Sequence, residues 1–322
     1  MIRFGIVGAA GIARKFARDL AYVEHAKLTA VSASTLDKAL KYQVEYQTEH
    51  AFRNYEDMAK SDVIDAVYIA TPHNFHFEHA LLFIKHHKHV LIEKPITVNH
   101  KQLEVLSKEA AIHHVLMMEA MWTHFLPATR YLVQEMKKGT FGPLLHADIK
   151  FGFPIALTAK KDGRLLNPNL AGGSLLDLGI YPVSFVSVLQ QSKIEDIKAT
   201  ARFTRTGVDK GGTIKLKDQR GTTYTLKHNM MRPLGDRATF TFEKATVIMP
   251  GFHGCQSLII NHEMIKLPYP GEGFAPEIEA FVKDIEQGAL YDEIMSLNKS
   301  LETMKLMDAI RHIIGLKYPF EV

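Results

Sequence analysis

The rhythm of hydrophobic and polar positions changes once along the chain. Over the first 120 residues, short apolar runs alternate with helical patterns. "IRFGIVG" (2–8) leads into 12–23, where Ile12, Phe16, Leu20 and Val23 recur at helical spacing. Apolar runs return at "LTAVSAS" (28–34), "DAVYIAT" (65–71), "HVLIEKP" (89–95) and "HVLMMEA" (114–120). Helical stretches at about 75–87 and 99–112 separate the last three. Such alternation predicts a parallel sheet with helices on both faces. From about 142 to 265 the period is two, as in "LLHADIKFGF", "KATARFTRT", "TTYTLKH" and "ATFTFEKATVIM", with glycine-containing turns between several runs. That predicts a mostly antiparallel sheet. Two helices close the chain. One covers 276–287, where Ile278, Phe281, Val282 and Ile285 share a face and Gly288 is the stop. The other runs from a Ser296 cap to Gly315.

Composition narrows the class. Hydrophobic residues make up 46% and charged ones 23%, an ordinary globular mix that argues against disorder. The 39 basic residues exceed the 35 acidic ones by four and are scattered, so nucleic acid is not an expected partner. A single cysteine, Cys255, excludes an internal disulfide and fits a reducing compartment. No apolar run is read as reaching the ~18 residues of a membrane span, and the N-terminus enters a strand without a signal-peptide pattern. The expectation is a soluble, cytoplasmic protein with no membrane partner.

"GIVGAAGIARKF" places Gly8, Ala10 and Ala13 at the small positions of G-x-G-x-x-G/A, with an additional Gly11 and with Ile12 in the same turn. The chemistry needs a tight strand-to-helix turn and a helix N-terminus whose free N–H groups face a pyrophosphate. Following the first strand and opening an amphipathic helix, the motif predicts a dinucleotide-binding Rossmann domain over 1–120, with an α+β domain on a mostly antiparallel open sheet over 121–322. An NAD site would place a carboxylate at the end of the second strand, about 20 residues past the glycines. This chain has Ser34, Thr35 and Lys38 there, with no carboxylate until Asp37. Hydroxyls and an ammonium suit a 2′-phosphate, so NADP is expected, with NAD as the alternative.

In "TPHNFHFEHA", His73, His76 and His79 fall at i, i+3 and i+6, which on a helix wind through about 300° and do not converge on one ion. No metal is expected. The stretch begins at the carboxyl end of a strand, where a cofactor lies in this architecture, so Thr71, Pro72, His73, Asn74 and His76 are read as cofactor contacts. Lys94 ends the next strand, beside Glu93 and before Pro95, and should reach the same crevice. Further on, "GGSLLDLGIYPV" puts Asp177 and Tyr181 at i and i+4 on an otherwise apolar helix. A buried tyrosine satisfied by a core aspartate is the alternative to a functional pair.

The motifs "GIVGAAGIARKFA", "VYIATPHNFH", "LIEKPI", "MEAMWTHFLP", "GGSLLDLGIYPV", "RTGVD" and the terminal "DAIRHIIG" resemble the glucose–fructose oxidoreductase / inositol dehydrogenase (Gfo/Idh/MocA) family. The resemblance is nearest to its dihydrodiol dehydrogenase and NADP-dependent D-xylose dehydrogenase branch. It implies an NAD(P)-dependent oxidoreductase acting on a sugar or cyclic trans-diol, with the E-K-P lysine, Lys94, catalytic. The D-x-x-x-H pair of inositol dehydrogenases falls on Asp177 and Tyr181, a tyrosine being the residue of the dihydrodiol branch. Chemistry agrees, because a phenol of ordinary pKa near 10 becomes a usable base when a cation such as Lys94 stands close. Glu93 is expected to anchor the loop. Trp122, Phe151 and Phe153 are read equally as a substrate-pocket wall or as core. The rival readings are a catalytically silent nucleotide-binding regulatory protein and an NAD-dependent glycosidase. A homodimer is expected through an uncovered sheet face carrying Phe203, Phe240 and Phe242.

Overall fold

The computed structural model describes residues 1–8 and 11–321. They form two compact units, residues 1–122 with 270–301 and residues 123–269 with 302–322. The chain thus returns to the first unit after 269, whereas the sequence pattern assigned everything beyond 120 to the second.

The first unit runs β1 (Ile2–Val7), α1 (Gly11–Leu20), β2 (Ala26–Ser32), α2 (Leu36–Tyr46), β3 (His50–Phe52), α3 (Tyr55–Lys60), β4 (Ala66–Ile69), α4 (His76–Lys85), β5 (His89–Glu93), α5 (His100–Ile112) and β6 (Met117–Ala120). The strands make one parallel sheet in the order β3-β2-β1-β4-β5-β6, the doubly wound arrangement predicted. Every residue of β4 is buried, because helices cover both faces and leave no polar side. Phe16 of α1 stacks on Tyr68 of β4 at 3.9 Å.

The second unit contains α6 (Pro127–Lys137), β7 (Leu144–Gly152), a π-helical turn at Leu175–Gly179, α7 (Ile180–Leu189), β8 (Ile194–Phe203), β9 (Asp209–Asp218), β10 (Thr223–Asn229), β11 (Gly235–Phe242), β12 (Thr246–Pro250), β13 (Ser257–Ile260) and β14 (Glu263–Lys266). α8 (Ala275–Glu286) belongs to the first unit, and α9 (Leu297–Ile314) begins there and continues in the second. The sheet order is β14-β13-β12-β11-β7-β10-β9-β8, antiparallel except for β7 with β10. α7 packs on β7 and β10, and its Phe185 stacks on Phe240 at 5.8 Å.

That packing corrects one expectation. Phe240 and Phe242 are buried on the covered face, and only Phe203, at the end of β8, is partly exposed. The opposite face carries Thr213, Lys215, Thr225, Lys227, Thr239 and Thr241, and towards its β14 edge Ile248, Ile259 and Met264, none of them buried. Phe240 and Phe242 therefore give no apolar reason for pairing through the open face; α7 supplies the cover that the two terminal helices were thought too few to give. The stretch Pro168–Leu189 is, by length and composition, apolar enough to cross a membrane, which corrects the reading that no run is long enough. It is 89% buried, as the core helix of the unit.

Candidate active site

In the first unit the candidate residues gather at the carboxyl edge of the parallel sheet. Gly8 follows β1 with φ +92°, and a Cβ there would lie 2.9 Å from the Ala70 carbonyl oxygen beyond β4. Only glycine lets the backbone make this approach at the sheet's switch point, so the cradle fits a dinucleotide. Gly11 opens α1, Ile12 is partly exposed and Ala13 is fully buried in the packing against the sheet. Ala10, expected in the same turn, lies outside the described residues.

At the end of β2, Lys38 Nζ donates to Ser34 Oγ at 3.2 Å. The Thr35 hydroxyl caps α2 by accepting the Lys38 N–H, a use the sequence reading did not assign. Thr71, Pro72, His73 and Asn74 follow β4, and the Asn74 Oδ1 is a buried acceptor without a protein donor. His76 joins two parts of this edge: Nδ1 is 2.8 Å from the Pro95 carbonyl and Nε2 is 2.8 Å from the Thr71 carbonyl. Burial nevertheless pushes its pKa down, so a neutral ring donates to one carbonyl at a time. Among the described residues, no group of three His, Cys, Asp or Glu side chains is placed to hold a metal.

Lys94 is half-buried directly after β5, in a cis bond to Pro95. Glu93 is turned inward, where its carboxylate accepts from the Tyr68 hydroxyl and from the Lys94 N–H. Behind it stands a residue the sequence reading passed over. Glu119 of β6 is fully buried, accepts the Ile96 N–H at 3.0 Å and the Ser300 hydroxyl at 2.8 Å, and is pushed up to about 7, chiefly by burial. Trp122 is buried and stacked on Phe274 at 5.2 Å.

In the second unit the site is built on the π turn. Asp177 lies within it and Tyr181 in the first turn of α7, so the pair spans a wider turn than the regular helix expected. Turns of this kind recur at functional sites. Arg164 Nη1 donates to Asp177 Oδ1 at 2.9 Å. A Cβ on Gly172 would strike the carbonyls of Leu165 and Arg164 at 2.8 and 2.9 Å, so that glycine admits the loop carrying the arginine. Gly173, at φ +122°, leaves room for Asp209, whose Oδ2 accepts the Leu175 N–H at 2.9 Å. Burial lifts Asp209 to about 7 and lowers His228 to about 4. His228 Nδ1 lies 2.9 Å from the Ser174 hydroxyl. These side chains fix the start of the turn from below.

The Tyr181 ring is boxed by His253 at 4.4 Å and Phe151 at 5.4 Å, with Phe153 against Phe151 at 5.5 Å. Phe151 is buried and Phe153 is 39% exposed, so the pair forms a wall that reaches solvent. Arg164 and His253 carried no sequence signal, since one comes from a turn and the other from a three-residue 3-10 helix at 252–254, and each meets the helix only through the fold.

Comparison with known proteins agrees with this arrangement. Residues 2–121 match the description "Oxidoreductase family, NAD-binding Rossmann fold", and residues 129–248 match the GFO/IDH/MocA C-terminal domain. The chain is 33% identical to scyllo-inositol 2-dehydrogenase (NADP(+)) of Bacillus subtilis, over 99% of each chain. It is 30% identical to trans-1,2-dihydrobenzene-1,2-diol dehydrogenase of Mus musculus, over 99% of this chain and 98% of that one. Among solved structures, a 3-ketoreductase from Actinomadura kijaniata in complex with NADP and TDP-benzene aligns with a TM-score of 0.88 at 26% identity, over 97% of this chain and 98% of that one. With both domains matched and a full-length relative at one-third identity, the chain belongs to the Gfo/Idh/MocA family of oxidoreductases.

Proposed function

We propose that the protein is an NADP-dependent oxidoreductase that transfers a hydride between the nicotinamide and a CH–OH group of a sugar, cyclic polyol or cyclic trans-diol. Lys94 and Tyr181 act as the acid–base pair. The observation that carries the reading is the carboxyl edge of the parallel sheet, where the Gly8 cradle, the Ser34–Lys38 contact and Lys94 follow β1, β2 and β5 of one sheet. Ser34 and Lys38 supply a hydroxyl and a cation for a 2′-phosphate, with no carboxylate before Asp37 of the following helix. The buried Asn74 acceptor suits the carboxamide of a nicotinamide.

NADP held at this edge would supply the hydride acceptor or donor; the chain's own residues bind, orient and move the proton. Tyr181 takes the hydroxyl proton, favoured by the positive charge of Lys94, which also hydrogen-bonds the reacting oxygen. Asp177, held by Arg164, binds a neighbouring hydroxyl of the substrate. The names of the relatives support the substrate class: one acts on an inositol and others on a cyclic trans-diol, both ring alcohols. The ketoreductase has been solved with NADP bound, also with one of its lysines and one of its tyrosines replaced.

A substrate screen followed by NADPH absorbance, with scyllo-inositol, aldoses and trans-dihydrobenzenediol, tests the reading. Lys94→Ala and Tyr181→Phe are each expected to lower kcat by ~10² or more with cofactor affinity nearly unchanged. Full activity in Tyr181→Phe would assign the proton to another group, and NAD binding tenfold tighter than NADP would overturn the cofactor choice.

A further inference from the structure

α8 begins with an acid that its own helix does not use. Glu277 is the third residue of α8, where a glutamate ordinarily reaches back to the N–H just before the helix. Here that N–H, of Phe274, goes to Asp19 of α1, whose Oδ2 accepts it at 2.7 Å. Asp19 Oδ1 accepts the Glu272 N–H at 2.9 Å, so the start of α8 is satisfied without Glu277. Glu277 is instead turned inward and fully buried, on a helix whose Phe281 lies 6.0 Å from Phe4 of β1. Neither of its oxygens meets a donor among the described residues.

Such a place does not hold a charge. Burial first, then Glu93, Asp19 and Glu119, keep the pKa of Glu277 well above the usual carboxylate range. Two of these neighbours grip the loop that carries Lys94. Glu93 accepts the Lys94 N–H and Glu119 accepts the Ile96 N–H, while His76 Nδ1 faces the Pro95 carbonyl between them. Tyr68 donates to Glu93 from β4, and Ser300 donates to Glu119 from α9. Carboxylates grouped in this way do not all ionise. A charge on Glu277 would be met by a proton on Glu93 or Glu119, and the loop would lose a charge-assisted acceptor.

We propose that Glu277 is a positioning residue that acts through Glu93, a role that rests on Lys94 being the acid–base partner proposed above. As a neutral acid it leaves the charge on the two loop acceptors, and it donates its proton towards Glu93 by way of an ordered water. Glu93 thereby stays ionised and fixes the Lys94 backbone from beneath.

Three measurements test this. Infrared difference spectra of the parent against Glu277→Gln, at pH 8 and without substrate, should show a protonated-carboxyl band that the variant lacks. Amide exchange reads the loop: protection of the Lys94 and Ile96 N–H groups should fall about tenfold or more in Glu277→Leu, which removes the donor, and persist in Glu277→Gln, which keeps one. With a substrate from the screen, the acid limb of kcat should move up by about one pH unit or more in Glu277→Leu, because Glu93 loses a donor to its charged form. Glu277→Gln should keep the parent's profile, and NADP affinity should hold in both. His76 and Glu119 face the same loop in every variant, so the difference belongs to Glu277; Glu277→Met is a second, unbranched variant with the same expectation. No carboxyl difference band, or parent-like exchange in the leucine and methionine variants, would overturn this proposal alone. A loosened loop with kcat and its profile unchanged would overturn it together with the role given to Lys94.

Discussion

Glu119 offers a quantitative test of how the first unit is built. Its carboxylate is fully buried, with the Ile96 N–H on one oxygen and the Ser300 hydroxyl on the other. Burial holds its pKa up at about 7, Glu93 adds to the rise, and Ser300, Ile96 and Lys94 oppose it. Against an ordinary value of 4.5, the difference corresponds to about 3 kcal/mol that the folded state loses when the group must ionise. Because the folded pKa is the higher one, this loss is absent below about pH 4, grows as pH rises and is complete above about pH 7. Glu119→Gln keeps both contacts, its amide oxygen accepting from Ile96 and its amide nitrogen donating to the Ser300 oxygen. The variant is therefore expected to be more stable than the parent by up to about 3 kcal/mol at pH 8 and nearly equal to it at pH 4.5. The single tryptophan, Trp122, is buried on Phe274 in this same unit, so its fluorescence reports the transition in urea. An equal difference at both pH values, or a loss at pH 8, would refute the reasoning.

Three further outcomes follow from the geometry. Gly8→Ala forces a Cβ against the Ala70 carbonyl at positive φ, a strain of about 1–3 kcal/mol; NADP affinity is expected to fall at least tenfold in a fluorescence titration, and an unchanged value would remove the cradle. For Arg164→Met and Asp177→Asn, a double-mutant cycle in unfolding free energy should return a coupling of about 1 kcal/mol, discounted because Arg164 is half exposed. Zero coupling would take the ion pair out of the site. Phe240→Ala should cost ~3–5 kcal/mol as a core cavity, whereas Phe203→Ala should stay within ~0.5 kcal/mol, both read by thermal unfolding. A change of particle size in place of the stability loss for Phe240→Ala would return that ring to an interface.

The fold was legible where burial leaves a periodic trace. Runs such as 65–71 and 89–95 belong to strands covered on both faces, and their unbroken apolarity announced β4 and β5. α2 was missed because its apolar residues are split between a buried face, with Ala39 and Tyr42, and an exposed one, with Leu36, Leu40 and Val44, so no single apolar stripe marks it. β3 and α3, at three and six residues, are shorter than any window that reveals a period. α6 has a readable start in Pro127 at its first turn, but only Ala128, Thr129 and Leu132 face inward. The return of 270–301 to the first unit left no trace, because α8 is amphipathic whichever unit it serves.

The candidate site was legible in its backbone-strained and chain-ordered parts and silent elsewhere. Gly8, Lys94 and the pair Asp177–Tyr181 sit at element ends, where residue type and position alone carry meaning. Arg164 and His253 act through space, outside every motif read from the sequence, whereas Asp209 closes the "RTGVD" motif and opens β9 without its role being legible there; only the glycines at 172 and 173 hint that something approaches closely. The two glycines answer to different neighbours, Gly172 to the carbonyls beside Arg164 and Gly173 to the Asp209 carboxylate. An alanine at 172 would push away the loop that holds Asp177 from outside, and one at 173 would displace the carboxylate that holds the turn from within. The dipeptide thus marks the place where two remote segments converge on one turn, and the same turn carries the carboxylate and precedes the phenol assigned to the chemistry.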